Sequence, residues 1–170
     1  MKEKGIDELF YAVRHLKKEN ENFVLDLVGF FEDEYKEQVK ELEKHSIAHF
    51  YGFQSDPRPF YIEADCVVLP SYHEGMSNVL LEAAATGRPV ITSNIPGCRE
   101  SVENGKSGLL VEVKNKEMLY DAMKEMLHCS REEREQMGQA GREKIEREFR
   151  KEVVVEKTVQ SLREDEKRDF

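Results

Sequence analysis

The sequence is poor in the residues that mark several classes of protein. It has no tryptophan, three cysteines and five prolines among 170 residues. Cys66, Cys98 and Cys129 are odd in number and far apart, so they indicate neither a disulfide framework nor a metal site. This cysteine usage favours a reducing compartment, and we expect a cytoplasmic protein.

Basic residues and long apolar runs are also scarce. Lysine and arginine number 26 against 35 aspartate and glutamate, which gives a formal charge of −9 at pH 7. Without a basic stripe to neutralise phosphates, nucleic acid is excluded as a partner. No apolar run approaches the ~20 residues that cross a bilayer. The start, Met1-Lys2-Glu3-Lys4, does not resemble a secretion signal.

Short apolar runs alternate with longer stretches of helical periodicity. The predicted strands cover residues 23–29, 47–51, 66–69, 90–93 and 108–111. The nearly continuous apolar run at 23–29 predicts a strand that is buried on both faces. The predicted helices cover residues 6–16, 32–44, 59–63, 78–86, 116–128, 131–148 and 151–163, with a frayed end over 164–170. This alternation predicts an α/β fold with a doubly wound parallel sheet. We expect residues 1–150 to form this domain and residues 151–170 a carboxyl-terminal helix and tail.

The segment 71–85 places a carboxylate inside an apolar helix. It follows the strand predicted at 66–69, and Gly75 forms the turn before a helix with apolar residues on every side of Glu82. We therefore expect Glu82 to be buried. A buried carboxylate is costly unless it is paired or hydrogen-bonded, so Glu82 needs a polar partner. That partner is a ligand or, alternatively, Arg88 or Arg99 in a structural ion pair.

Three loops are expected to meet at the carboxyl ends of the strands, where open parallel sheets bind ligands. They are residues 52–54, 71–77 and 93–97. The helix that begins near Met76 or Ser77 offers free N–H groups to an anion, and Gly75 allows a close approach. Glu82 lies ~7–8 Å further along the helix axis. A nucleotide, with a phosphate at the helix start and hydroxyls near Glu82, fits this arrangement.

A series of short motifs resembles the retaining glycosyltransferases of family 4, the group 1 glycosyl transferases with the GT-B fold. Glu74 and Glu82, with seven residues between them, match the paired-glutamate motif of that family. Supporting matches are Glu3-Lys4-Gly5-Ile6, Val28-Gly29, Phe50-Tyr51-Gly52-Phe53, Gly87-Arg88-Pro89-Val90-Ile91 and Gly105-Lys106-Ser107-Gly108-Leu109-Leu110-Val111. Within the family, the chain looks like transferases that build capsular and other surface polysaccharides.

The resemblance implies the roles of the site residues. Glu74, which would hold donor-sugar hydroxyls, and Lys4, which would contact the diphosphate, are implied as catalytic. Glu82 would hold the ribose hydroxyls, the backbone after Gly75 would meet the diphosphate, and the loop at 52–54 would frame the base. The implied donor-binding residues are Glu82, Gly75, Met76, Ser77, Gly52, Phe53 and Gln54. The family needs no metal or other cofactor, because the nucleoside-diphosphate sugar is itself the donor substrate.

The resemblance covers the carboxyl-terminal, donor-binding domain alone. Family members have an amino-terminal domain that carries acceptor contacts, and a strand directly before the Glu-Lys-Gly segment that ends in an arginine. Met1 follows that point, so we expect the first, central strand to be missing. In the doubly wound order, the strands at 23–29 and 66–69 would then expose unpaired edges. We expect a marginally stable chain whose copies could associate through these edges.

The expected function is therefore part of a larger enzyme. The whole enzyme would move a sugar from a nucleoside-diphosphate sugar, with a UDP-sugar as first candidate, to a hydroxyl of a glycan or lipid-linked acceptor. The acceptor would bind through the missing amino-terminal domain, in the cytoplasm or at the inner membrane face. We expect this chain alone to be inactive. A non-catalytic sugar-nucleotide-binding or interaction module and a GT-B epimerase are alternatives. His73, next to the site, is expected to be an exposed loop residue and not a general base.

Overall fold

Strands and helices alternate along the chain, as the apolar pattern predicts. The structure is a computed structural model that describes residues 2–30 and 32–166. Within this part of the chain the strands are β1 (Leu25–Val28), β2 (Ala48–Gly52), β3 (Val67–Leu69), β4 (Val90–Ser93) and β5 (Gly108–Val111). The helices are α1 (Ile6–Lys18), α2 (Lys36–Lys44), α3 (Arg58–Glu63), α4 (Asn78–Ala85), α5 (Lys116–His128), α6 (Arg131–Glu148) and α7 (Lys151–Glu166).

The strands form two separate parallel sheets. In the first, β1 pairs with β2, with Leu25 opposite Ala48. In the second, the order is β3-β4-β5, and Val90 lies opposite both Val67 and Gly108. β1 and β3 do not pair with each other in the described residues. The predicted unpaired edges on these two strands are therefore confirmed.

Helices cover both faces of the three-stranded sheet, which gives the doubly wound arrangement that was predicted. Consecutive residues of β4 point to opposite cores: Ile91 joins a cluster with α1, α2 and α5, and Val90 joins a cluster with α3 and α4. The helix α1 enters the first cluster through a stripe at helical spacing. The buried residues of that stripe are Ile6, Leu9, Phe10, Ala12, Val13 and Leu16.

Two sequence predictions are wrong in detail. The run at 23–29 was expected to be buried on both faces, but Asp26 and Val28 are exposed and alternate with half-buried Leu25 and Leu27. The reason is that only one face of β1 packs against the core. The predicted frayed end is wrong for residues 164–166, which continue α7, and residues 167–170 lie outside the described residues.

No helix in the described part of the chain is long and apolar enough to span a membrane.

Candidate functional site

The amino-terminal turn is fastened to the loop that follows β3. The backbone N–H of Tyr72 donates to the carbonyl oxygen of Glu3 at 2.8 Å. Gly5 has a φ of 67°, and a Cβ there would lie 2.1 Å from the carbonyl oxygen of Pro70. A glycine is thus required for α1 to start so close to this loop. These contacts hold Lys4 at the carboxyl end of β3.

Lys4 and Glu74, both predicted as catalytic, lie in direct contact. The ammonium Nζ of Lys4 is 2.6 Å from Oε1 of Glu74. The hydroxyl of Ser71, which is fully buried, donates to the same oxygen at 2.8 Å. The Glu74 side chain is 15% exposed and that of Lys4 is 46% exposed. The carboxylate is therefore held in place, while the ammonium remains accessible from the solvent side.

The loop after β4 supports the turn from Glu74 to Ser77. Gly97 has a φ of 87°, and a Cβ there would lie 2.0 Å from the carbonyl oxygen of Gly75. The carbonyl of Gly97 accepts from the N–H of Ser77 at 2.9 Å. Ser77 in turn caps α4, because its hydroxyl accepts from the N–H of Leu80. The positive end of α4 is thereby fixed beside Glu74.

Glu82 is not buried, contrary to the sequence prediction. Leu80, Ala83 and Ala84 are the residues of α4 that enter the core, and Glu82 projects from another face and is exposed. Its Oε2 accepts a hydrogen bond from the hydroxyl of Tyr61 at 3.1 Å. Burial, with the nearby Glu82 carboxylate as a second cause, raises the pKa of Tyr61. Tyr61 thus stays protonated and remains a donor to Glu82.

The ion pairs proposed as alternatives for Glu82 do not form. A guanidinium nitrogen of Arg88 donates to the carbonyl of Ile62, and Arg99 lies 3.6 Å from the carboxylate of Glu100. Among the described residues, neither arginine pairs with Glu82. His73 is 86% exposed and lies 3.6 Å from Glu3, as expected for a loop residue outside the core.

The loop after β2 contributes an exposed aromatic side chain. Gly52 turns the chain with a φ of 67°, and Phe53, which follows it, is 61% exposed. Its ring stacks on that of Phe30, with 4.9 Å between centroids and 8° between planes. The side-chain amide of Gln54 donates to the carbonyl of Tyr51 at 2.8 Å, which holds the loop against the end of β2.

Phe30 is a site residue that the sequence analysis missed. It is 71% exposed. It follows Gly29, the residue directly after β1, and Phe53 likewise follows Gly52, the last residue of β2. Gly29 and Gly52 are joined by a backbone hydrogen bond of 2.8 Å. The repeated Gly-Phe pair at the ends of two predicted neighbouring strands was therefore a signal that could have identified Phe30.

One large cavity of about 1070 Å³ brings most of the predicted residues together. Gly52 and Gly75 shape the loops without lining it. The predicted site residues that line it are Lys4, Phe53, Gln54, Glu74, Met76, Ser77 and Glu82. The cavity thus offers an ammonium and a helix start for an anion, carboxylates for hydroxyl groups, and aromatic rings at its rim. No cluster of three His, Cys, Asp or Glu residues suited to a metal occurs in the described part of the chain.

Comparisons with known proteins find a matching family, related proteins and related structures. The family described as Glycosyl transferases group 1 matches residues 1–144. The capsular polysaccharide biosynthesis glycosyltransferase CapM of Staphylococcus aureus is 29% identical, over 92% of this chain and 42% of its own length. The chain spans less than half the length of the curated relatives that it matches.

Solved structures show the same fold. Sucrose-phosphate synthase from Thermosynechococcus elongatus matches with a TM-score of 0.81 and 27% identity, over 96% of this chain and 43% of that chain. HepE of Anabaena, solved in complex with UDP-glucose, matches with a TM-score of 0.79 and 20% identity, over 96% of this chain and 46% of that chain. The prediction of a Rossmann-like carboxyl-terminal domain of the GT-B type is thereby confirmed.

Proposed function

Because the chain belongs to the group 1 glycosyl transferases, we propose that it is the donor-binding part of a retaining glycosyltransferase of family 4. The whole enzyme would transfer a hexosyl group from a nucleoside-diphosphate sugar to a hydroxyl of a glycan or lipid-linked acceptor. The similarity to CapM supports surface polysaccharide as the product. We place the enzyme in the cytoplasm or at the inner membrane face.

The proposal depends mainly on one observation: Lys4, Glu74, Ser77 and Glu82 line the same cavity. The ammonium of Lys4 and the start of α4 would hold the diphosphate, and they would stabilise its charge as it leaves. Glu74 would orient the donor sugar through its hydroxyls. Glu82 would accept from the ribose hydroxyls. In this scheme the charge of the leaving group needs no metal ion.

In this proposal the nucleobase of the donor would bind against the stacked pair of Phe30 and Phe53. Exposed aromatic rings favour contact with a planar base. The UDP-glucose complex of HepE, a protein of the same fold, supports a UDP-sugar as the donor. The acceptor and the remaining catalytic groups would be bound by another part of the enzyme, so we propose that this chain alone does not transfer sugar.

Calorimetric titration of the full 170-residue chain with UDP, GDP, ADP and UDP-glucose tests the proposal. Glu82→Ala should weaken nucleotide binding about tenfold or more, since a hydrogen bond to a charged group is lost. His73→Ala is the matched control, because this exposed neighbour should change the affinity less than about twofold. Melting curves establish that each variant is folded.

Two results would contradict the proposal. Equal losses in the Glu82 and His73 variants would remove the role assigned to Glu82. If the folded chain gave no heat with any of the nucleotides, the non-catalytic module without a working donor site would be the better description.

A further inference from the structure

Tyr61 connects the hydrophobic core to the candidate site. It lies on α3, is 7% exposed, and belongs to the buried cluster that contains Leu80, Ala83 and Val90. Tyr61 also lines the cavity of the candidate site, as Glu82 does. The tyrosine ring is therefore fixed by close packing at the edge of the cavity.

The hydroxyl of Tyr61 holds a carboxylate that is otherwise exposed. It donates to Oε2 of Glu82 at 3.1 Å, and among the described residues it is the only side chain that donates a hydrogen bond to Glu82. An exposed glutamate side chain without such a bond samples several rotamers. The bond to a tyrosine of the core therefore selects one position for the carboxylate.

This hydrogen bond leaves most of the carboxylate available to a ligand. The two oxygens of a carboxylate together accept about four hydrogen bonds. Tyr61 occupies one of these positions on Oε2, so Oε1 and the rest of Oε2 remain open. The two adjacent hydroxyls of a ribose can donate to the two oxygens of one carboxylate, but only when the carboxylate has the right orientation. A partner that fixes this orientation therefore affects how well the ribose is bound.

We propose, on the basis of the ribose-binding role proposed above for Glu82, that Tyr61 is a positioning residue that sets the preference of the site for ribonucleotides over deoxyribonucleotides. Tyr61 does not contact the nucleotide and acts through the Glu82 carboxylate. Fixing the carboxylate before the nucleotide arrives lowers the ordering cost of binding. Because burial raises the pKa of Tyr61, its hydroxyl stays protonated and remains a donor to Glu82.

The affinities of the full chain for UDP and for the dideoxy analogue of UDP, which lacks both ribose hydroxyls, test this role. In calorimetric titrations the unsubstituted chain should prefer UDP about tenfold or more, because the analogue cannot donate to the charged carboxylate. Tyr61→Phe removes one hydroxyl and keeps the ring in the core, and it should reduce this preference to about threefold or less. Its affinity for the analogue should change less than about twofold. A merely structural defect would weaken both ligands equally and leave the preference unchanged, which would overturn the proposal.

A double substitution tests whether Tyr61 acts through Glu82. In the Glu82→Ala background, Tyr61→Phe should change the affinity for UDP less than about twofold, since the group that Tyr61 positions is already absent. A larger further loss would show that Tyr61 contacts the nucleotide itself, and the positioning role would be wrong.

Tyr120→Phe is the matched control. The hydroxyl of Tyr120 donates to Oε1 of Glu19 at 2.6 Å, and neither of these two described residues lines the cavity. This variant also loses a hydrogen bond from a tyrosine to a carboxylate, yet it should keep the full preference for UDP. Melting curves establish that each variant is folded. An equal drop in preference in the Tyr120 and Tyr61 variants would contradict the proposal.

The same titrations separate this inference from the proposed function. If no nucleotide binds, or if Glu82→Ala keeps the full preference for UDP, the role proposed for Glu82 is wrong and that of Tyr61 is wrong with it. If Glu82→Ala removes the preference and Tyr61→Phe keeps it, the proposed function stands and the role of Tyr61 alone is overturned.

Discussion

The three-stranded and two-stranded sheets differ in how their strands are covered. All four residues of β4, the central strand of the larger sheet, are at most 1% exposed. In β1, half-buried Leu25 and Leu27 alternate with exposed Asp26 and Val28. Apolar runs of similar composition are thus buried to different degrees. β4 has a strand on each side and helices on both faces, whereas β1 has one neighbouring strand and one covered face.

The candidate site combines groups from both sheets. Lys4 and Glu74 are held at the end of the well-packed β3-β4-β5 sheet, and the Phe30–Phe53 pair lies at the end of the two-stranded sheet. The charged groups therefore have a rigid support, while the position of the aromatic pair depends on how the smaller sheet is held.

The largest expected difference between the two sheets is the cost of a cavity. Leu80 is fully buried against the three-stranded sheet, and Leu27 is half-buried in β1. Leu80→Ala should lower the free energy of unfolding by about 2–5 kcal/mol, and Leu27→Ala by about 1 kcal/mol. Urea unfolding followed by circular dichroism measures both. If Leu27→Ala is as costly as Leu80→Ala, the two sheets are equally well packed and our comparison is wrong.

A smaller difference is expected between two glycines with positive φ. Gly97 lies against the backbone of Gly75, whereas a Cβ added to Gly29 at the end of β1, where φ is 129°, would meet no atom within 4 Å. Both alanine variants should suffer backbone strain, but Gly97→Ala must also displace the turn at Gly75. It should therefore cost about 1–3 kcal/mol more than Gly29→Ala. Equal unfolding midpoints in urea would show that the contact at Gly75 relaxes freely.

Much of the fold could be predicted from the sequence, because β-branched runs, helical stripes and glycine turns act locally. The strands at 90–93 and 108–111 and the helices at 116–128 and 131–148 have the observed bounds. The burial of β1 could not be predicted, since it depends on whether other elements cover both of its faces or only one. Local pattern also cannot show which face of β1 meets the core.

The surroundings of the candidate-site residues were harder to predict than their grouping in one cavity. Lys4, Glu74 and Glu82, which the family resemblance implied as site residues, all line one cavity, and their roles stay predictions. The prediction that Glu82 is buried was wrong, because a short helix that is apolar on all sides need not be covered on all sides. The direct contact between Lys4 and Glu74 could not be foreseen, since 70 residues separate them and the contact depends on how the amino-terminal turn meets the loop after β3.

The smallest expected difference concerns acid stability. A hydrogen bond from Lys144 lowers the pKa of Glu148 on α6 below 4.5, and one from Lys40 lowers the pKa of Glu37 on α2. Since each folded pKa lies below the unfolded value, the stabilisation is present above pH 4.5 and is lost as the pH falls through the folded pKa.

Lys144 is 11% exposed and Lys40 is 58% exposed, so water screens the Glu148 pair less. Glu148→Gln should cost up to about 0.5 kcal/mol at about pH 7 and less near about pH 3, whereas Glu37→Gln should change stability less at either pH. Urea unfolding at the two pH values tests this, and a larger pH effect for Glu37 would show that the helix beside the smaller sheet is the better shielded one.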